Sequence, residues 1–289
     1  MKNLGRAFSL TKPGIAVLLD LVAATTFILG LRDYSLAWKI VPLLFSGTLA
    51  SFSSSLANNY IDRDVDPRMG RTRWRSSVGN RIGYLISIPS LLAVSLAVSL
   101  VFLNAATTLW ILSGFVSYSF LYTLVLKRRT SWNIVIGGIA GSFPALAGWS
   151  AVNTPYSAVS IFVAIIVFLW TPTHFWTLAM KYKDDYSMAN IPMLPAVADE
   201  KFAINAIIVN TTILIAFSLL PVAVNMGFPI LYDILIIPVS AYLMSRVLLL
   251  KFRRGMQLPS LSLRAFLASN YYLSAFLILL IVGALIRFL

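Results

Sequence analysis

Apolar runs close to twenty residues recur along this 289-residue chain, at about 14–31, 38–58, 82–103, 106–126, 133–151, 156–180, 202–225, 229–249 and 265–288. At about 1.5 Å rise per helical residue, each run matches a hydrocarbon layer of roughly 30 Å. Only 11% of residues are charged and 59% are hydrophobic, too few charges to cover a water-exposed surface of this size. The expected fold class is all-α: a polytopic membrane protein with a bundle of nine transmembrane helices. No linker or soluble insertion divides it, so residues 1–289 read as one transmembrane domain. The polar opening stretch MKNLGRAFSLTKPG lacks an A-x-A-like site, and no cleavable signal is expected. With no cysteine in the chain, disulfides, thiolate metal sites and thiol nucleophiles are excluded.

The formal net charge of +13 could suggest a nucleic-acid binder, but its distribution argues otherwise. If nine spans alternate, 20 of the 23 basic residues fall on one side, leaving Arg32, Lys39 and Arg287 on the other. Basic residues mark the cytoplasmic face, so the N-terminus is expected inside and the C-terminus outside a cell membrane. The lipid bilayer, and no nucleic acid, is the partner this basicity implies. The outer turns are minimal, at 104–105, 152–155 and 225–228, whereas the inner connections 59–81 and 181–201 are longer and polar. Chemistry on a polar group is therefore expected at the inner face. Pro89, Pro144, Pro172, Pro221 and Pro238 should kink or open their helices. The small residues of 133-NIVIGGIAGSFPALAGW-149 suit close helix packing.

Acids are scarce, ten in all, yet five gather in two clusters at inner span ends: Asp62, Asp64 and Asp66, then Asp184 and Asp185. Asn58, Asp62 and Asp66 are four apart and would share one face of a continuing α-helix. Oxygen donors in that register suit a hard divalent cation such as Mg2+, which takes its remaining ligands from water or phosphate. Two facing carboxylate clusters repel unless a cation bridges them, so Asp184 and Asp185 join the expected metal set with Asn58, Asp62 and Asp66. Asp64 points off that face, toward an ion pair with Arg63, Arg68 or a neighbouring segment. A magnesium-chelated diphosphate is the guest this mouth suits, with Arg and Lys neutralising the remaining charge. His174, the single histidine, precedes Lys181 by seven residues and Asp185 by eleven, near whole turns. Asp20 lies inside the first span, where an ionisable group is costly and unassigned.

These residues carry a resemblance. Asn58, Asn59, Asp62 and Asp66 resemble the N-D-x-x-D-x-x-x-D signature of the UbiA superfamily of membrane prenyltransferases. Within it, 58-NNYIDRDVD-66 followed by 71-RTRWR-75 looks most like the protoheme IX farnesyltransferase (haem O synthase) branch. The stretches 11-TKP-13, 122-YTLVLKRRTSWNIVIGGIAGSFPALAGW-149 and 171-TPTHFWTLAMKYKDDYSMANIPMLP-195 agree. Departures are Ser76 where the branch has proline after the arginine, Thr173 within its Pro-Pro-His, and adjacent Asp184-Asp185 in place of D-x-x-x-D.

The resemblance implies magnesium-dependent transfer of a farnesyl group from farnesyl diphosphate to a vinyl group of haem B, water completing the product. It implies catalytic roles for Asp62, Asp66, His174 and Lys181, and diphosphate contacts from Arg71, Arg73, Lys127, Arg128 and Lys183. His174 could ligate haem iron, orient water or contact a propionate, or be a structural hydrogen-bonder. Tyr118, Tyr122, Phe175, Trp176 and Tyr182 could shield a carbocation or simply pack. A downstream haem-modifying enzyme or haem-copper oxidase assembly is the implied consumer. A quinone-ring or lipid acceptor is the alternative within enzymes. A transporter using Asp20 and His174 is the alternative outside them.

Overall fold

The computed structural model describes residues 2–78, 80–223, 230–252 and 257–286, with side chains from residue 5 onward. The expected outer turn 225–228 and Arg253, Arg254 and Arg287 lie outside the described residues. Among these residues there is no strand, and eight helices are long and apolar enough to cross a membrane. After a short α1 (Lys2–Ser9), the first two spans are α2 (Pro13–Gly30) and α3 (Ile40–Ile61). The next two are α4 (Arg81–Phe102) and α5 (Ala105–Val116), the latter continued by a π-helix over Ser117–Leu126.

The fifth expected span, the one of the nine that this count of eight leaves out, is present but broken. Residues 133–150 form α6 (Asn133–Gly137), a 3-10 turn (Gly138–Ser142) and α7 (Phe143–Ser150). Pro144 removes a hydrogen-bond donor and crowds the preceding turn, while three nearby glycines favour helix weakly, which explains the break. The chain continues through α8 (Ala158–Lys181), with short α9 (Lys183–Met188) and α10 (Leu194–Val197) at its inner end. Then come α11 (Glu200–Ser218), α12 (Leu220–Ala223), α13 (Ile230–Phe252) and α14 (Leu258–Ile286). The chain is a multi-pass membrane protein.

One packed core joins α8, α11, α13 and α14 through Val163, Ile166, Leu214, Leu243 and Phe276. A second joins α2, α3, α5 and α7 through Phe27, Leu43, Ile111 and Ala147. Polar side chains stitch the helices where lipid offers no partner. Asn104 caps α5 by accepting from Thr107 N at 2.8 Å and also donates to Ser150 O at 2.7 Å. Ser95 donates to Ser46 O across α3 and α4, and Trp170 Nε1 to Ser269 O across α8 and α14. Gly148 of α7 lets α2 approach: a Cβ there would lie 2.0 Å from Ala23 O.

One sequence expectation needs correction here. The α-helix carrying the first acidic motif ends at Ile61, and Asp62–Asp64 and Asp66–Arg68 form two 3-10 turns. Pro67 cannot donate to the preceding turn, so the helix cannot run through the motif. Asp62 and Asp66 nevertheless both turn inward, 1% and 4% exposed, while Asp64 stays at the surface.

Candidate active site

The N-terminal end of α2 and the C-terminal ends of α3, the π-helix and α8 converge on the first acidic motif. Asn58 Nδ2 donates to Asp62 Oδ2 at 2.8 Å, so the two residues act as one oxygen-bearing unit. Cations surround it. Lys127, just after the π-helix, donates a hydrogen bond to Asp62, and Arg128 Nη2 lies 3.7 Å from Asp62 Oδ1. Arg75 reaches Asp66 Oδ1 at 3.4 Å. Lys12 donates to Asn58 Oδ1 at 2.6 Å. Burial pulls the Lys12 ammonium down to about 7, and repulsion from Arg75 and Lys127 adds to the fall. Lys12 also sits in the left-handed backbone region at φ 53°, a costly conformation for a residue with a Cβ. Lys12 and Arg75 escaped the sequence-level site. The first lies 46 positions from Asn58 in sequence, and the second closes the 71-RTRWR-75 match, which assigns it no contact. The conformational strain at Lys12 has no sequence signal.

The donor set fits a divalent cation in part. Asp62 Oδ1 and Asp66 Oδ2 are buried and accept no hydrogen bond, so each carboxylate keeps one oxygen open for a ligand. Hard oxygen donors of this kind match Mg2+. Asp184 and Asp185 do not join them. No group of three or more Asp, Glu or His side chains gathers at metal distance among the described residues. Asp185 instead accepts from Gly70 N and Arg71 N at 3.4 and 3.3 Å. Asp184 and Lys183 line a separate cleft of about 250 Å³ with Ser187 and Glu200. Helix α8 stops at Lys181, so Asp185 does not continue its face below His174. The turn to α9 carries the second cluster sideways onto the loop after the first.

The predicted cations divide in the same way. Arg71 and Lys181 both lie over the ring of Tyr182, at 5.4 and 5.0 Å, holding two positive charges at the mouth. Arg128 forks onto Asp64 with two contacts of 2.8 Å, giving Asp64 its ion pair with a neighbouring segment. Arg73 is exposed and makes no ion pair among the described residues.

Below this mouth a cavity of about 370 Å³ opens between α2, α3, α5, α7, α8 and α14. Arg71, Tyr118 and Tyr122 line it near the acidic motif, and His174 and Phe175 line it deeper. Tyr118 and Tyr122 stand on the π-helix with ring centroids 5.7 Å apart, and Thr123 Oγ1 bonds back to Tyr118 O at 2.8 Å. His174 is held firmly. Its ring stacks on Trp170 at 4.2 Å and lies 4.4 Å from Phe266, and Nδ1 meets Ser269 Oγ at 3.0 Å. That leaves Nε2 as the ring nitrogen without a hydrogen bond among the described residues. Trp176, in contrast, is buried away from the cavity against Trp132, a packing contact. The arrangement offers a cationic, carboxylate-bearing mouth for a metal-bound diphosphate and an apolar chamber for a long hydrocarbon and a flat ring.

Comparison with known proteins agrees with this architecture. Residues 19–270 match the family model described as the UbiA prenyltransferase family. Protoheme IX farnesyltransferase 2 of Picrophilus torridus is 40% identical over 289 residues, covering 99% of this chain and 98% of that protein. Protoheme IX farnesyltransferase 1 of Cenarchaeum symbiosum is 41% identical, covering 75% and 76%. A solved structure of digeranylgeranylglyceryl phosphate synthase superposes with TM-score 0.73 at 16% identity, covering 97% and 99%. A UbiA homologue from Archaeoglobus fulgidus bound to DMAPP and Mg2+ superposes with TM-score 0.66 at 17% identity, covering 94% and 97%. At such identities the structural likeness speaks for the fold. Family match and full-length relatives together make this chain a member of the UbiA prenyltransferase family.

Proposed function

We propose that this protein transfers a farnesyl group from farnesyl diphosphate to a vinyl group of haem B, with addition of water, giving haem O and diphosphate. The observation that carries the reading is one cavity whose lining runs from Arg71, Tyr118 and Tyr122 to His174, with Lys12 bridging Tyr118 to Asn58 of the acidic motif. A charged leaving group and an apolar acceptor must meet in one such space. The full-length likeness to protoheme IX farnesyltransferases supports this acceptor over a quinone ring or a lipid glycerol.

Asp62, Asp66 and Asn58 would hold Mg2+, which when bound supplies charge neutralisation for the departing diphosphate. Around it Lys127, Arg71 and Arg75 add fixed positive charge where negative charge builds on the leaving oxygen, and the same anion would favour the charged form of Lys12. Tyr118, Tyr122 and Phe175 present ring faces to the allylic carbon as its bond to oxygen breaks. The vinyl group of haem B, placed in the chamber near His174, then forms the new carbon–carbon bond. Arg73 and Lys183 are left to steer the anionic substrate across the inner surface. A single transmembrane domain with a cytoplasmic N-terminus and an outer C-terminus completes the reading, with the product passing to a haem-modifying enzyme or an oxidase. The test is direct: purified protein with haem B, farnesyl diphosphate and Mg2+ should yield a pigment heavier by farnesyl plus one water. Unchanged haem with another prenyl acceptor consumed would refute it.

A further inference from the structure

The chamber contains an ionisable side chain that the proposed reaction has not yet used. Apart from Arg71 and the two tyrosines near the mouth, the titratable groups lining the cavity are His174 and Asp20. Asp20 is seven residues into α2 from Pro13, and His174 is seven residues from the inner end of α8. Both therefore lie about 10 Å below the mouth. Thr48 Oγ1 donates to Asp20 Oδ2 at 2.5 Å, which fixes the carboxylate. Oδ1 accepts no hydrogen bond among the described residues. Gly47 makes room for it, since a Cβ there would lie 3.0 Å from Oδ1. A carboxylate inside a membrane span is costly unless a polar partner reaches it.

That partner has a route. Ser51, Ser54 and Ser55 of α3 also line the cavity, and they are only 8%, 8% and 3% exposed. Their hydroxyls have no hydrogen-bond partner among the described residues, although a helical serine can usually bond back to its own backbone. Thr48, Ser51, Ser55 and Asn58 alternate steps of three and four residues, so they run down one face of α3 to the Asn58–Asp62 hydrogen bond. Hydroxyls without partners that stand in a row along a cavity wall are sites for ordered water. The row leads from the diphosphate mouth at Asn58 to Asp20.

We propose that Asp20 binds the water that completes the product and accepts its proton, the serine row of α3 supplying that water. This rests on the haem-farnesylating reading above. When the vinyl group bonds to farnesyl C1, the diphosphate leaves with the electrons of the broken C–O bond. The positive charge moves to the vinyl carbon beside the porphyrin. The water oxygen forms a bond to that carbon, and its proton passes to Asp20 Oδ1. The carboxylate returns the proton along the serine row to the released diphosphate. Without water held and deprotonated there, the released diphosphate takes a proton from the adjacent methylene and the cation closes to an alkene.

The experiment compares wild type with D20N under turnover with haem B, farnesyl diphosphate and Mg2+, reading diphosphate release and pigment mass separately. D20N should lower haem O formation about 100-fold, the low end for a positioned base. Diphosphate release should continue, and a farnesylated pigment lighter by one water should accumulate. G47A, which keeps the carboxylate but crowds Oδ1, should raise the same lighter product, so the reasoning survives if D20N fails to fold. Wild-type proportions of haem O in both variants would overturn the role of Asp20. So would a folded D20N that releases no diphosphate, because Asp20 would then act before water enters. Wild-type protein that leaves haem unaltered would sink the haem reading itself, and this inference with it.

Discussion

Replacing Gly148 by alanine tests whether the contact between α2 and α7 is as close as the structure makes it. The new Cβ would lie 2.0 Å from Ala23 O and 2.4 Å from Thr26 Oγ1. A carbon and an oxygen normally meet no closer than roughly 3.2 Å, so relief requires about 1.2 Å of movement. Thr26 Oγ1 can rotate away, but Ala23 O is backbone and moves only with its helix. Overpacking of this kind costs about 1–3 kcal/mol, and the carbonyl clash puts G148A at the upper end. G14A is the internal control. Gly14 is exposed in the first turn of α2, and a Cβ there meets nothing within 4 Å. Helix propensity alone should make G14A neutral or stabilising by up to about 1 kcal/mol. Reversible unfolding in mixed detergent micelles, followed by circular dichroism, reads both. G148A should also lose activity beyond its loss of fold, because α2 bears Lys12 at the mouth and Asp20 in the chamber. A G148A protein as stable as wild type would refute the packing argument and loosen the position of every α2 residue in the site.

Other perturbations separate the parts of the site. D62N and D66N should each lower diphosphate release about 10²–10³-fold while the protein remains folded. D64A should be mild, since Asp64 is 55% exposed and its pair with Arg128 is a surface one worth about 0–1 kcal/mol; equal loss in all three would defeat the assignment. H174A should weaken haem binding, read by absorbance titration, while the affinity for a non-hydrolysable farnesyl diphosphate analogue with Mg2+ stays unchanged; the reverse pattern would move His174 to the diphosphate site. D185A should raise KM for farnesyl diphosphate more than it lowers kcat, because the amides of Gly70 and Arg71 lose their acceptor. In a chain without native cysteine, single Cys probes at exposed Ser76 and Ser187 should react with an impermeant reagent only from the inside, and one at Tyr156 only from the outside. Outer labelling at 187 would reverse the proposed topology.

Much of this molecule is set by local chemistry that a sequence displays directly. Length and apolarity of each run determine that it spans, because the bilayer imposes one thickness and forbids unpaired backbone. The acidic motif at 58–66, the Lys127-Arg128 pair and the His174 stretch are each contiguous in sequence, and their residue types carry the family resemblance. Tertiary structure decided what those residues touch. Pro67 and the end of α3 at Ile61 turn the motif onto 3-10 steps, and the end of α8 at Lys181 swings Asp185 onto the loop at 70–71. Which cations guard Asp62 and Asp66 depends on Lys12 and Arg75 arriving from other segments. The function of Asp20 depends on α3 presenting Thr48 and a row of unpartnered serines to α2. Such contacts arise only when helices distant in sequence pack side by side, so no periodicity within one helix can encode them.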